Sequence, residues 1–296
     1  AADLLAKYKV IIGNSSVGLN TFRTAYTMRD GTVVNEQAAF EGFIRGGGGF
    51  VAIHGADDSM GNWPFYVDML GGVFRAHPGN AGGFGTDCGS CYWAELITED
   101  DTHPATAGLP ARFPVADELY QFTRKPRPYV HPLLTLNEDT YRTGIGVTGT
   151  GAVEGGDHPI TFCSNYEGGR MFAQVLGHNW QLFADTPWFQ TTILEAILTT
   201  GGFKYANCIT HREVTKLIAA GGLTSEAAAA ATALVDSAYE KYATLTPAGF
   251  SASLSDIEAL RELAQQPGNG EPAARAALLA KAQELKDWML VLLGSD

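Results

Sequence analysis

The sequence predicts an α/β domain followed by a smaller all-α module, and three observations carry that reading. First, a helical pattern at residues 35–45 passes through four glycines into the apolar run Phe50, Val51, Ala52 and Ile53. That run is too short and too continuously apolar for a surface helix, and it reads as a buried, parallel strand. Second, residues 158–178 read as two strands joined by a tight turn, an antiparallel hairpin. Third, beyond Cys208 the chain becomes rich in Ala, Leu, Glu and Lys, with apolar positions at helical period. The expected division is 1–205 and 206–296.

Taken in order, residues 8–13 form the first strand, with Asn14, Ser15 and Ser16 at its carboxyl tip. Those three also match a glycosylation sequon. Residues 17–34 are loop-like, because Gly18, Asn20, Asp30 and Gly31 break any period. Asn35 is a good N-cap for the next helix, Phe40, Phe43 and Ile44 form its apolar face, and Gly46 is placed to close it in the left-handed conformation. The strand that follows ends at His54, on the edge where open α/β sheets hold ligands. A short helix over 63–70 closes at Gly71 and Gly72, and His77-Pro78 leads into a glycine-rich loop. Strands are expected at 91–98, from 117 to 122 and at 129–136, with 100–114 irregular and 143–156 a surface loop. In the hairpin, a three-residue turn of Glu167, Gly168 and Gly169 pairs Tyr166 with Arg170. The same register sets His158 opposite His178, with Cβ atoms about 5 Å apart. A helix over 188–199 completes the domain. The tail helices are expected at 211–220, 225–243, 256–266 and 273–293, with Ser255 and Glu258 as a capping box for the third.

The bulk numbers exclude some partners. A formal net charge of −12 argues against nucleic acid and anionic membrane surfaces, both of which are polyanions. No apolar run approaches the roughly 20 residues that span a bilayer. The 45% hydrophobic and 18% charged content is that of an ordinary globular protein.

Six of the seven histidines lie in the first domain. A histidine beside proline or inside an apolar run generally satisfies a backbone group, and that is the expected role of His103 and His131. His54 and His178 differ because each ends an inner strand, and His158 joins them through the hairpin register. These three are the candidate catalytic imidazoles, with Glu118 as a carboxylate for acid–base work and Asp57 as an orienting partner. Asp57 and Asp58 also suit a helix N-cap, and His77 stays open between a structural and a binding role. Trp63 and Tyr66 suit a sugar platform or inward packing, and Asp58 suits a sugar hydroxyl. Clustered histidines with a carboxylate also suit zinc or another divalent metal, but no H-x-x-x-H spacing supports that reading. The four glycines precede a strand rather than open a helix, so they are not a phosphate loop. Cys88-x-x-Cys91 lies in a glycine-rich loop with no helix start to lower a thiol pKa, which disfavours redox catalysis and leaves a tight disulfide or a metal half-site. In a secreted chain, a Cys163–Cys208 bridge would tie the tail to the sheet.

The motif Gly47-Gly48-Gly49-Phe50-Val51-Ala52-Ile53-His54 is followed by Leu70-Gly71-Gly72, His77-Pro78, His103-Pro104-Ala105-Thr106 and Asp117-Glu118-Leu119-Tyr120. Asp157-His158-Pro159-Ile160, Gly168-Gly169-Arg170 and Leu176-Gly177-His178 come next. In this order they resemble the trehalose-utilisation (ThuA-like) family. The resemblance implies a flavodoxin-like, class I glutamine amidotransferase-like fold, with an earlier strand and helix and a further histidine that would precede Ala1. Amidotransferases carry a nucleophilic cysteine at the strand-to-helix elbow. His54 stands there instead, and imidazole cannot take over the covalent role, so amidotransferase chemistry is not expected. The resemblance implies action on carbohydrates such as keto-glycosides or disaccharides. It also implies, as the alternative, a non-catalytic sugar-binding or scaffold domain of a larger extracellular assembly with other domains or chains. The expected location is extracellular or periplasmic, with the cytoplasm as the alternative.

Overall fold

The computed structural model describes residues 5–19, 21–78, 88–141, 157–244 and 246–293. The chain divides into two compact units, Ala1–Cys208 and Ile209–Asp296. The division falls three residues later than the sequence suggests.

In the first unit the strands are β1 (Val10–Asn14), β2 (Tyr26–Thr27), β3 (Val33–Val34), β4 (Gly49–Ile53), β5 (Phe74–Ala76) and β6 (Tyr92–Thr98). They continue with β7 (Arg112–Asp117), β8 (Gln121–Phe122), β9 (His131–Asn137), β10 (Pro159–Tyr166) and β11 (Gly169–Gln174). Its helices are α1 (Glu36–Arg45), α2 (Pro64–Leu70), α3 (Trp180–Asp185) and α4 (Pro187–Thr200). Seven strands form the main sheet in the order β1-β4-β11-β10-β9-β6-β7. The strands β1, β4 and β11 are parallel, and every later pairing is antiparallel. The fold is therefore mixed α/β, with the parallel strands confined to one side. The carboxyl ends of β4, β11 and β7 consequently share one edge.

The strand β4 is buried along its whole length. Phe50 and Ala52 join one apolar cluster with Phe40, Tyr66 and Leu70, while Val51 and Ile53 join another with Phe172 and Ala196. Alternate side chains thus enter opposite cores, which is why the run is continuously apolar. Asn35 caps α1, its side chain accepting from the Ala38 N–H at 2.8 Å. The left-handed residue after the helix is Gly47 (φ +89°), one later than predicted, because Gly46 keeps a negative φ of −79°.

Two other expectations are corrected. Residues 100–114 are not wholly irregular, since β7 begins at Arg112 and pairs with β6. The hairpin register is one residue shorter than expected: Tyr166 pairs with Gly169 and Asn165 with Arg170. The turn is Glu167 (φ +50°) and Gly168 (φ +97°), a two-residue reversal with both angles positive, which matches the strands' natural twist. A one-residue slip changes every partner. The ladder ends at Thr161 and Gln174, and His158 does not oppose His178. The expected loop at 143–156 lies outside the described residues, as does most of the glycine-rich stretch after His77.

All four cysteines are in disulfides, Cys88–Cys91 and Cys163–Cys208, each with Cα atoms 5.4 Å apart. The second joins β10 to the end of the first unit across 45 residues of chain. Cross-linking a loop of that size stabilises a fold by about 4 kcal/mol. A Cys163→Ala/Cys208→Ala double variant should therefore lose about that much in denaturant unfolding, with the slope changed by the expanded denatured state.

The second unit contains α5 (His211–Ala219), α6 (Ser225–Tyr242), α7 (Pro247–Gln265) and α8 (Pro272–Leu292) around Val235, Tyr242, Ile257, Leu260, Leu285 and Trp288. Thr210, Thr224 and Thr246 each cap a helix through the side-chain oxygen. The helix α7 starts nine residues before the expected boundary, since Thr246 caps it and Pro247 fits its first turn. Ser255 is not a cap; its hydroxyl donates to the Ser251 carbonyl within the helix. Among the described residues, no helix is long and apolar enough to cross a membrane.

Candidate functional site

The strand β4 runs into a tight turn, His54–Ala56, and His54 adopts φ +48°. A left-handed backbone is unusual for a residue with a Cβ and costs on the order of 1–3 kcal/mol, so the surrounding contacts must hold it. One such contact is 3.1 Å from His54 Nδ1 to the Val175 carbonyl. A carbonyl only accepts, so Nδ1 carries a hydrogen, and that tautomer of imidazole has its lone pair at Nε2. Around Nε2 stand His178 Nδ1 at 3.2 Å, the Tyr120 hydroxyl at 3.2 Å and Glu118 Oε2 at 3.4 Å. His178 Nδ1 is also 3.2 Å from Glu118 Oε2. His178 is the open member, with its side chain 39% exposed against 8% for Glu118.

The electrostatics follow from these contacts. Burial pushes the Glu118 carboxyl up, but hydrogen bonds from His178 and Ser90 outweigh it and hold Glu118 well below the usual carboxylate range. The same bond to Glu118 raises His178 above an ordinary histidine, against the opposing effect of burial. Burial, reinforced by the nearby Glu118 charge, raises both Asp58 and the Tyr120 phenol. His77 reaches the group from the other side, with Nε2 3.4 Å from Glu118 Oε1. The arrangement is an imidazolium–carboxylate pair beside a lone-pair nitrogen and a phenol, a set equipped to move protons.

Three participants carry no chemical signal of their own in the sequence, although two of them flank Glu118 in its motif. Tyr120 is one. Ser90 is another: its Oγ is 3.5 Å from His178 Nε2, and it sits between the bonded Cys88 and Cys91. The third is Asp117, fully buried, whose carboxylate accepts from the backbone N–H groups of Glu118 (2.8 Å), Gly177 (2.5 Å) and Asn179 (2.9 Å). Three strands separate β7 from β11 in the sheet, yet this one carboxylate ties Glu118 to the segment that carries His178. Burial raises its pKa, and the three N–H bonds pull it back. Gly177 takes φ +135° here, and a Cβ would lie 3.3 Å from the His54 Cβ.

Several predicted site residues lie elsewhere. His158 is completely buried outside the His54 group, with Nε2 donating to the Tyr120 carbonyl at 2.7 Å and Nδ1 2.9 Å from the Tyr141 hydroxyl and 3.1 Å from Glu138 Oε1. It braces Tyr120 from behind, since the hairpin ladder ends at Thr161 and Gln174 and the His158 carbonyl bonds to the Leu136 N–H instead. Trp63 and Tyr66 are core residues: Tyr66 is fully buried with its hydroxyl donating to the Ala56 carbonyl at 2.7 Å, and Trp63 stacks on it at 6.1 Å. A ring packed on all sides is not a sugar platform. Asp57 is fully buried, and neither carboxylate oxygen has a hydrogen-bond partner, so it does not orient His54 through a hydrogen bond. Burial alone pushes it up to about 8. His131 pairs with Asp100 at 2.8 Å, and His103 Nδ1 accepts from the Ala105 N–H at 3.0 Å, both structural arrangements.

The chain is similar to solved structures of two ThuA-like proteins. With that of Bacteroides uniformis it shares 28% identity over 68% of this chain and 72% of the other, at a TM-score of 0.48. With that of Parabacteroides merdae it shares 19% identity over 70% and 77%, at 0.45. A β-galactosidase from Bacillus circulans matches at 13% identity over 64% of this chain and 22% of the enzyme, at 0.36. Among curated proteins none matches the sequence. Residues 1–199 match the family described as ThuA, trehalose utilisation. With two-thirds of its sequence accounted for in this way, the chain belongs to the ThuA family.

Proposed function

We propose that the β4–β11 edge catalyses proton transfer on a carbohydrate, with keto-glycosides or keto-disaccharides as the substrate class. The observation that carries this reading is the convergence of His54 Nε2, His178 Nδ1, Tyr120 Oη and Glu118 Oε2 at 3.2–3.4 Å. The family's association with trehalose supports the substrate class. Glu118 is held ionised, so it acts as the fixed counter-charge that keeps His178 protonated. His178, the exposed member, donates to a carbonyl or glycosidic oxygen, while the His54 lone pair receives a proton from the sugar. Asp58 and His77 would hold neighbouring hydroxyls.

Incubation with 3-keto-disaccharides tests the reading. Turnover by the wild-type chain, falling at least ~100-fold in His178→Ala, is the expected result for loss of a general acid. Saturable binding without turnover would replace this reading with a non-catalytic sugar-binding role. The pH profile supplies a second check. His178 gains its proton from the Glu118 contact, so its raised pKa places the alkaline fall of activity above the ordinary histidine range. In Glu118→Gln that limb should move to lower pH.

A further inference from the structure

We infer that His54, Glu118 and His178 form a binding site for a divalent cation of the zinc class, with one coordination position left for water or substrate beside the half-exposed His178. The inference rests on the same edge being the reactive site. Three clusters of His, Cys, Asp and Glu among the described residues have donor atoms close enough to share an ion. Two of them, Cys88–Cys91–Asp117 and His103–Cys163–Cys208, have their cysteines consumed in disulfides, and a disulfide sulfur is not a thiolate ligand. The third is His54, Glu118 and His178.

Its geometry suits the ion. The three donors stand 3.2, 3.2 and 3.4 Å apart. Ligands roughly 2.0–2.1 Å from a tetrahedral ion are separated by roughly 3.3 Å, so the triangle already has the required edge length. Two imidazoles and one carboxylate are a ligand set of catalytic zinc, which leaves the fourth position for water or substrate.

The surroundings match as well. A ligating histidine generally donates its second ring N–H to an acceptor that fixes its orientation. His54 does so to the Val175 carbonyl, and His178 Nε2 faces Ser90 Oγ at 3.5 Å. Glu118 uses Oε2 toward the triangle and leaves Oε1 toward His77 at 3.4 Å. In the metal-free protein His178 Nδ1 lies 3.2 Å from both Glu118 Oε2 and His54 Nε2, and a cation would take the place of its proton. With both imidazole nitrogens then serving as ligands, the ion would replace the His178 proton as the group that polarises a substrate carbonyl at the open position.

The three ligands are 64 and 60 residues apart in sequence, so no local spacing announces them. The backbone fixes all three before any ion arrives. The left-handed elbow sets His54, and the Asp117 bonds to the N–H groups of Glu118, Gly177 and Asn179 set the other two.

Titration of the metal-stripped full chain with Co²⁺, read by its visible absorption, and with Zn²⁺, read by calorimetry, tests the site without any substrate. One equivalent with the intense visible bands of a four- or five-coordinate cobalt ion is expected. His178→Ala, at a half-exposed position, should keep the fold and weaken binding at least 10-fold, and Glu118→Gln should do the same. No saturable binding by the wild type, or unchanged affinity in both folded variants, would overturn the inference. Because the readout is binding, its failure is separable from failure of the carbohydrate reading. A chain that turns over sugar but binds no ion refutes only the metal, and one that binds the ion but leaves the sugars untouched refutes only the carbohydrate reading.

Discussion

Replacing Asp57 with asparagine should flatten the loss of stability that the protein suffers as pH rises from about 4 to about 8. The carboxyl is fully buried with no hydrogen-bond partner, and burial lifts its pKa from 3.8 to about 8 in the fold. A carboxyl raised in the folded state leaves its stabilising proton fully in place below the unfolded pKa. That contribution is lost as pH rises through the folded value. A tenfold change in an acid dissociation constant is worth about 1.4 kcal/mol, so the loss across the window is on the order of 5 kcal/mol. Asparagine has nearly the same shape and does not ionise. Denaturant unfolding of wild type and Asp57→Asn at intervals between pH 4 and pH 9 should show converging curves at the acid end and a variant advantage at the alkaline end. Parallel curves would mean that Asp57 is ionised and solvated in the fold.

Asp117→Ala should be the most damaging single change to the candidate site. It would leave three buried backbone N–H groups without an acceptor, each costing about 1–3 kcal/mol, for a total of roughly 4 kcal/mol. Glu118 and the His178 segment are held together by this carboxylate, so the damage reaches the chemistry as well as the fold. Asp117→Asn separates the two effects. One carboxamide oxygen can still accept, while its NH₂ faces an N–H, so most of the fold survives with a disturbed His178–Glu118 geometry. A large fall in kcat with a smaller change in stability is expected for Asn, and both should fall for Ala. Equal and small effects of the two variants would assign Asp117 to an ordinary structural role.

Much of the first domain was legible in the chain because the signals are local. The continuous apolar run at β4, the Asn35 cap and the position of His54 at a strand end need only neighbouring residues to interpret. The hairpin was legible as a hairpin but not in its register, since Glu167 takes a positive φ that no preference of glutamate announces. His158 lies beyond the end of the ladder, on the side that pairs with β9. Trp63 and Tyr66 were ambiguous for a different reason: aromatic side chains on a short helix look alike whether they face a core or a cleft. Ser255 with Glu258 fits a capping pattern, but a stronger start at Thr246 and Pro247 turned it into a helix interior.

The sequence by itself determined the α/β class, the helical second unit, the family, and His54 at the end of a buried strand. Apart from the family, which rests on motifs in order along the first domain, each of these follows from local patterns of residue type. Only the tertiary structure decided that His178 and Glu118 meet at His54, that Tyr120 and Ser90 join them, and that Asp117 clamps the group. These contacts depend on which buried polar groups find partners across the sheet, and a partner's identity is set by where distant strands end rather than by the residues beside it.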